Sequence, residues 1–158
     1  MATRRFFAVV VAITALANPF VPRLSAGGSP PLAGTGLSTE TSSTVLSFRQ
    51  AGPNIVIEQQ NVRQDIGAFT GRVDEHMFLT IHPNGIINLR AEAILSGTYP
   101  ACGPESVVQA IHLEGQVSPD GAIGANFATT GGAAVVVQGT VEGSLASATA
   151  NFEISYHC

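Results

Sequence analysis

Two segments of this chain are built on the same corner, and that shared corner constrains the fold more than any other feature of the sequence. His82-Pro83-Asn84-Gly85-Ile86 and Ser118-Pro119-Asp120-Gly121-Ala122 both read x-Pro-(Asn/Asp)-Gly-x. Proline pre-sets φ for a type I turn, Asn or Asp suits the next position, and glycine takes the left-handed conformation that follows. The product is a three-residue hairpin loop with a bulge, and it sets the register of its flanks. Opposing His82 to Ile86 brings Ile81 against Ile87, Leu79 against Leu89, Met77 against Ala91, Val73 against Leu95 and Phe69 against Tyr99 on one face. The other face carries Thr80 with Asn88, Phe78 with Arg90, His76 with Glu92 and Arg72 with Ser96. One apolar and one polar face is what a half-buried antiparallel pair requires. The second corner does the same. Ile111, Leu113, Val117, Ile123, Ala125 and Phe127 share one side, and His112, Glu114, Gln116 and Asn126 the other.

From Thr44 onward the dominant pattern is alternation at period two, with no helical stretch. Further strands are expected at about 44–50, 54–62, 133–142 and 144–157, which makes about eight. The predicted class is all-β. Sheets with a single apolar face must cover it, and closure into a small antiparallel barrel does so while removing the edges; a two-sheet sandwich is the alternative. Small residues on the apolar side, such as Gly71, Ala93, Gly115 and Gly139, suit tight curvature. Low charge points the same way, since only 11% of residues are charged and there is no Lys for the polar side of helices.

The run Phe69-Thr70-Gly71-Arg72-Val73, the two Pro-Asn/Asp-Gly corners, Gly97 between them, and Val137-Gln138-Gly139-Thr140-Val141-Glu142-Gly143 together resemble a group of small secreted bacterial β-barrels with the allene-oxide-cyclase-like barrel shape. The resemblance spans roughly Ala68 to Tyr156 and implies a barrel. No catalytic residue of the cyclases matches a motif here, so it implies no activity and no cofactor.

Ahead of the strands, Arg4-Arg5 and the apolar run Phe6 to Ala17 have the form of a secretory signal peptide, with small residues offering cleavage after Ala17 or, as expected here, after Ala26. The run is too short to span a bilayer as a helix. Thr3-Arg4-Arg5-Phe6-Phe7 also fits a twin-arginine signal. Residues 27–43, rich in Gly, Ser, Pro and Thr, read as a flexible spacer, which leaves 44–158 as the barrel domain. A secreted or envelope location follows. Outside the cell the two cysteines, Cys102 and Cys158, are expected to be joined. With the leader set aside, four Arg face eleven acids. A field of that sign repels phosphate backbones, which argues against nucleic-acid partners.

Chemistry-bearing residues are few. Continuous pairing puts Glu75 on the apolar face opposite Ala93, where a desolvated carboxyl could act as acid, base or ligand hook; a bulge at Asp74-Glu75 or a rim position would turn it to solvent instead. Met77, Leu79 and Phe127 are the apolar positions best placed to line an interior with it. His76 opposite Glu92 is half of a metal site, or an ordinary cross-strand pair. No GxSxG, HExxH, P-loop or CxxC spacing is present. Three functions therefore compete: a non-enzymatic barrel binding a small apolar ligand or a surface partner, a small isomerase or cyclase with Glu75 as its polar handle, and a purely structural surface protein. A cavity of a few hundred Å³ that holds Glu75 would favour the second, an empty apolar cavity the first, and a filled core the third. Oligomeric state is left open.

Overall fold

A computed structural model describes residues 30–158; the leader, with both cleavage points, lies outside the described residues. Eight strands follow one another: β1 (Leu32–Ala51), β2 (Asn54–Gly67), β3 (Thr70–Ile81), β4 (Ile87–Thr98), β5 (Ser106–Val117), β6 (Ala122–Thr129), β7 (Val136–Ser144) and β8 (Thr149–His157). Each pairs antiparallel with the next, and β1 pairs with β8, so the sheet closes into a barrel in simple up-and-down order. The sandwich alternative is thereby replaced by one closed sheet.

Both corners form as their residues dictate. His82 N–H donates to Ile86 O at 2.9 Å and Gly85 N–H to His82 O at 3.0 Å; Ser118 N–H donates to Ala122 O at 2.9 Å and Gly121 N–H to Ser118 O at 2.8 Å. Asn84 and Asp120 each accept the N–H two residues on, from Ile86 and Ala122. The registers match the expected ones pair by pair, from Ile81↔Ile87 to Thr70↔Thr98 and from Val117↔Ile123 to Leu113↔Phe127. Gly85 and Gly121 have φ of 83° and 88°, where a side chain is strained. Gly85→Ala and Gly121→Ala are each expected to cost about 1 kcal/mol, read as a lower urea midpoint with an unchanged slope.

One expectation is corrected. Residues 32–43 are not a free spacer but the first part of β1, which closes the barrel by pairing from Leu32↔Tyr156 to Thr39↔Thr149 on one side and with β2 on the other. The inner face of this segment is Gly34, Gly36, Ser38 and Glu40 rather than a run of aliphatics. A Cβ at Gly34 would collide with the Ala68 side chain, and one at Gly36 with the Phe152 ring. The volume that apolar residues of β1 would fill is already taken by these neighbours, Phe152 on the paired strand β8 and Ala68 in the β2–β3 turn, so an apolar period never develops in the sequence. Ala146 and Ala148, expected within the last strand, lie in the turn before β8.

The interior has two ends. At one, Phe69, Tyr99, Phe152 and Tyr156 are buried together with Val73 and Val137; the Tyr99 ring stands 5.1 Å from Phe69 and 5.3 Å from Tyr156. The Cys102–Cys158 disulfide fastens this end, tying the 3-10 turn at Pro100–Cys102 to the residue after β8, with Cα atoms 5.5 Å apart. At the other end, which carries the two proline corners, a smaller buried cluster forms around Met77, Leu89, Ala91, Leu113 and Ala125. Here the β1–β8 seam stops at a bond from Glu40 N–H to Ala148 O, 2.7 Å. Beyond it β1 runs on to Ala51 paired only with β2.

Candidate functional site

A cavity of about 330 Å³ occupies the barrel interior and extends to the half-buried Leu79, Ile87 and Ile123 and the exposed Leu145 at the proline-corner end. Glu75, Met77, Leu79 and Phe127, the residues singled out from sequence, all line it. Glu75 pairs with Ala93 as the register requires and points inward, only 6% exposed, so the bulge or rim alternative does not apply.

The walls differ in kind. Strands β4 to β8 contribute mainly aliphatic and aromatic side chains, Leu89, Leu113, Val117, Phe127 and Val141 among them. Strands β1 to β3 contribute Ser38, Glu40, Ser43, Gln59, Asn61, Arg63, Asp65 and Glu75. This polar wall arises because β2 reverses the usual pattern. Asn61 and Asp65 are buried inside while Ile66, between Asp65 and the turn, is 64% exposed outside. Two bulges in β1, at Glu40/Ser42 and Val45/Ser47, re-aim its residues so that Ser43 comes opposite Asn61.

Hydrogen bonds hold most of this wall in place. Asn61 Oδ1 accepts from Ser43 Oγ at 2.8 Å and from Gln59 Nε2 at 3.2 Å, which turns its amide nitrogen the other way, toward Met77 Sδ and Glu75. Arg63 Nε donates to Ser38 Oγ at 2.8 Å and Nη2 to Ser38 O at 3.3 Å, while Nη1 lies 3.8 Å from Glu40 Oε2. Two buried carboxyl oxygens, Asp65 Oδ1 and Glu75 Oε2, have no partner. Burial pushes the Glu75 carboxyl up to about 7 from an ordinary 4.5, against the pull of the Arg63 guanidinium and the Asn61 amide, with the charges of Asp65 and Glu40 pushing upward too. Burial also lifts Asp65, against a hydrogen bond from Ser38 and the charge of Arg63.

His76 and Glu92 lie opposite each other on the outer face, as expected, but each closes on a different partner. His76 Nε2 sits 2.7 Å from Glu58 Oε1 across to β2, and Glu92 Oε1 lies 3.3 Å from His112 Nδ1 across to β5. His112 Nε2 also reaches Glu114 Oε1 at 3.0 Å. The two imidazoles are thus spread over a solvated face, and no group of three or more potential metal ligands gathers among the described residues.

Sequence reasoning missed Asn61, Arg63, Asp65, Ser38 and Glu40, because it took the apolar face of every strand as the inner one. The signal was present in the register. Carrying the pairing of β3 back across the turn at Gly67 sets Asn61 opposite Glu75 and Arg63 opposite Val73, on the inner side.

No protein-family model matches the chain, and no curated protein matches it significantly. The functional reading therefore rests on the geometry of the barrel.

Proposed function

We propose that the barrel interior is a binding site for a small molecule with an apolar body and a polar group at one edge. One observation carries this reading: a cavity of about 330 Å³ in which two buried carboxyl oxygens on one wall lack partners. That size lies in the range of small-molecule pockets, which combine mostly apolar walls with a few placed polar groups. An unpaired buried acceptor carries a desolvation cost that a ligand donor would relieve. Native mass spectrometry of the purified protein is expected to retain a small molecule, and a neutral naphthalene fluorophore is expected to bind with a blue-shifted, saturable emission. Ala125→Leu, which fills the apolar side, should abolish that emission without altering the circular dichroism. A dye that stays in water with the native protein would refute the reading.

The isomerase or cyclase, which a cavity holding Glu75 favours, is the second reading; it needs the same binding and adds a proton transfer. A carboxyl brought to about 7 inside a cavity is suited both to take and to give a proton near neutrality, as an isomerase or cyclase acting on the bound molecule would need. Glu75→Gln separates the two, since a proton-transfer enzyme loses turnover while a binding protein has none to lose.

We also infer that residues 1–26 are an export leader and that the barrel works outside the cytoplasm; the Cys102–Cys158 disulfide is compatible with that location. Among the described residues no helix is long and apolar enough to cross a membrane. A role as a surface partner draws support from the outer part of β1, where Val45, Leu46 and Phe48 are exposed.

A further inference from the structure

The polar wall is unbalanced in charge. Three carboxyls, Glu40 on β1, Asp65 on β2 and Glu75 on β3, line the cavity beside one guanidinium, Arg63. Around Glu75, β1 presents Glu40, β2 presents Asn61, Arg63 and Asp65, and β4 presents no polar side chain, only Ala91, Ala93 and Leu95. No Lys or His lines the cavity. Arg63 gives its Nε–H and one Nη2–H to Ser38, and its third nitrogen faces Glu40 at 3.8 Å, so the guanidinium is turned toward β1. Asp65 and Glu75 are each more than nine-tenths buried, and each leaves one oxygen without a donor. The vacancy on this wall is therefore for donors and positive charge.

Resting on the binding reading above, we infer that the cavity takes a cationic, donor-bearing head on an apolar body, in the manner of an alkylamine, and rejects the corresponding carboxylate. An ammonium has three donors and no acceptor, so it can meet the unpaired Glu75 Oε2 with donors to spare for water or Gln59, while Asp65, four residues further along β2 in the register, adds its negative charge. Its charge offsets the excess of acids, and its chain lies along Leu89, Leu113 and Phe127. A carboxylate would add a fourth acid to the wall, where the one guanidinium already holds Ser38 and faces Glu40.

The test displaces the naphthalene fluorophore from the oxidised, full-length barrel with octylamine, octan-1-ol and octanoate, at about pH 8, where an ammonium resembling the Lys side chain remains charged. Displacement reads the cavity and not the acidic outer surface. Octylamine is expected to displace at least about tenfold more tightly than octan-1-ol, as a charge-assisted hydrogen bond allows, with octanoate last. In the double variant Asp65→Asn, Glu75→Gln, octylamine should fall to the level of octan-1-ol. Octanoate displacing as well as octylamine, or an amine preference that survives in the double variant, overturns the assignment of the head while leaving the pocket intact. A pocket that binds neither the fluorophore nor any of the three probes is the failure of the binding reading itself. The ranking in the native protein decides the matter even where the double variant does not fold.

Discussion

Replacing both Cys102 and Cys158 with Ala is expected to lower the free energy of unfolding by about 4 kcal/mol, because the bridge closes a loop of about 57 residues in the unfolded chain. Single domains are commonly stable by only ~5–15 kcal/mol, so a loss of that size moves the protein a long way toward unfolding. The position of the bridge adds a local effect. It ties the turn between β4 and β5 to the end of β8, across the end of the barrel filled by Phe69, Tyr99 and Tyr156. Without it the last residues of β8 are free to fray, and β8 is the strand that meets β1 at the seam. Urea titrations of the native and Ala variants, followed by near-ultraviolet circular dichroism of the buried tyrosines, measure both effects. Equal midpoints for the two proteins would show that the seam holds without its fastening.

The second large effect concerns Glu75. Its carboxyl binds a proton more tightly in the folded barrel, at about 7, than at its ordinary 4.5. The sign follows from that order. Stability is greatest below about 4.5, where the group is protonated in both states, and declines as pH rises through 7, where folding must bury a charge. Over that window the decline amounts to about 3 kcal/mol at 1.36 kcal/mol per unit. Asp65, also lifted by burial, adds to the decline. The acids outside the cavity, Glu58, Asp74, Glu114 and Asp120, held low by their partners, work in the opposite direction only below the ordinary carboxylate range. Glu75→Gln keeps the shape and the contact with Asn61 without the charge. It is expected to flatten the profile between pH ~5 and ~8 and to make the variant more stable than the native protein by about 2–3 kcal/mol at the upper end. A native profile already flat across this window would contradict the burial of an ionisable Glu75. The cost borne at neutral pH is itself a reason to look for a ligand, since a group that destabilises its own fold is commonly kept for function.

What the sequence could and could not convey follows from the same physics. The β3–β4 and β5–β6 hairpins were readable to the residue, because each is set by a local corner and by aliphatic side chains that alternate without interruption. The register then carried Glu75 to the inner face and the cysteines closed the end as expected. The seam strand and the polar wall were not readable in that way. In β1 the inner positions Gly34 and Gly36 are small because Ala68 and Phe152 occupy the space in front of them, which is a property of the closed barrel and not of the segment. In β2 the inner positions Asn61, Arg63 and Asp65 are polar and face polar partners on β1, Ser43, Ser38 and Glu40, so apolar periodicity pointed to the wrong face. Places where local pattern and global fold disagree are where a functional site is expected. Here they coincide with the wall that lacks donors.

The central claim is that Glu75 stands buried inside the barrel with one carboxyl oxygen unpaired. The most direct measurement is a carbon-13 NMR titration of its side-chain carboxyl in the purified, oxidised protein, assigned with the Glu75→Gln variant. A midpoint near 7 is the expected result. A midpoint at the ordinary 4.5 would mean that water reaches the carboxyl freely, and the polar wall would then be no binding site.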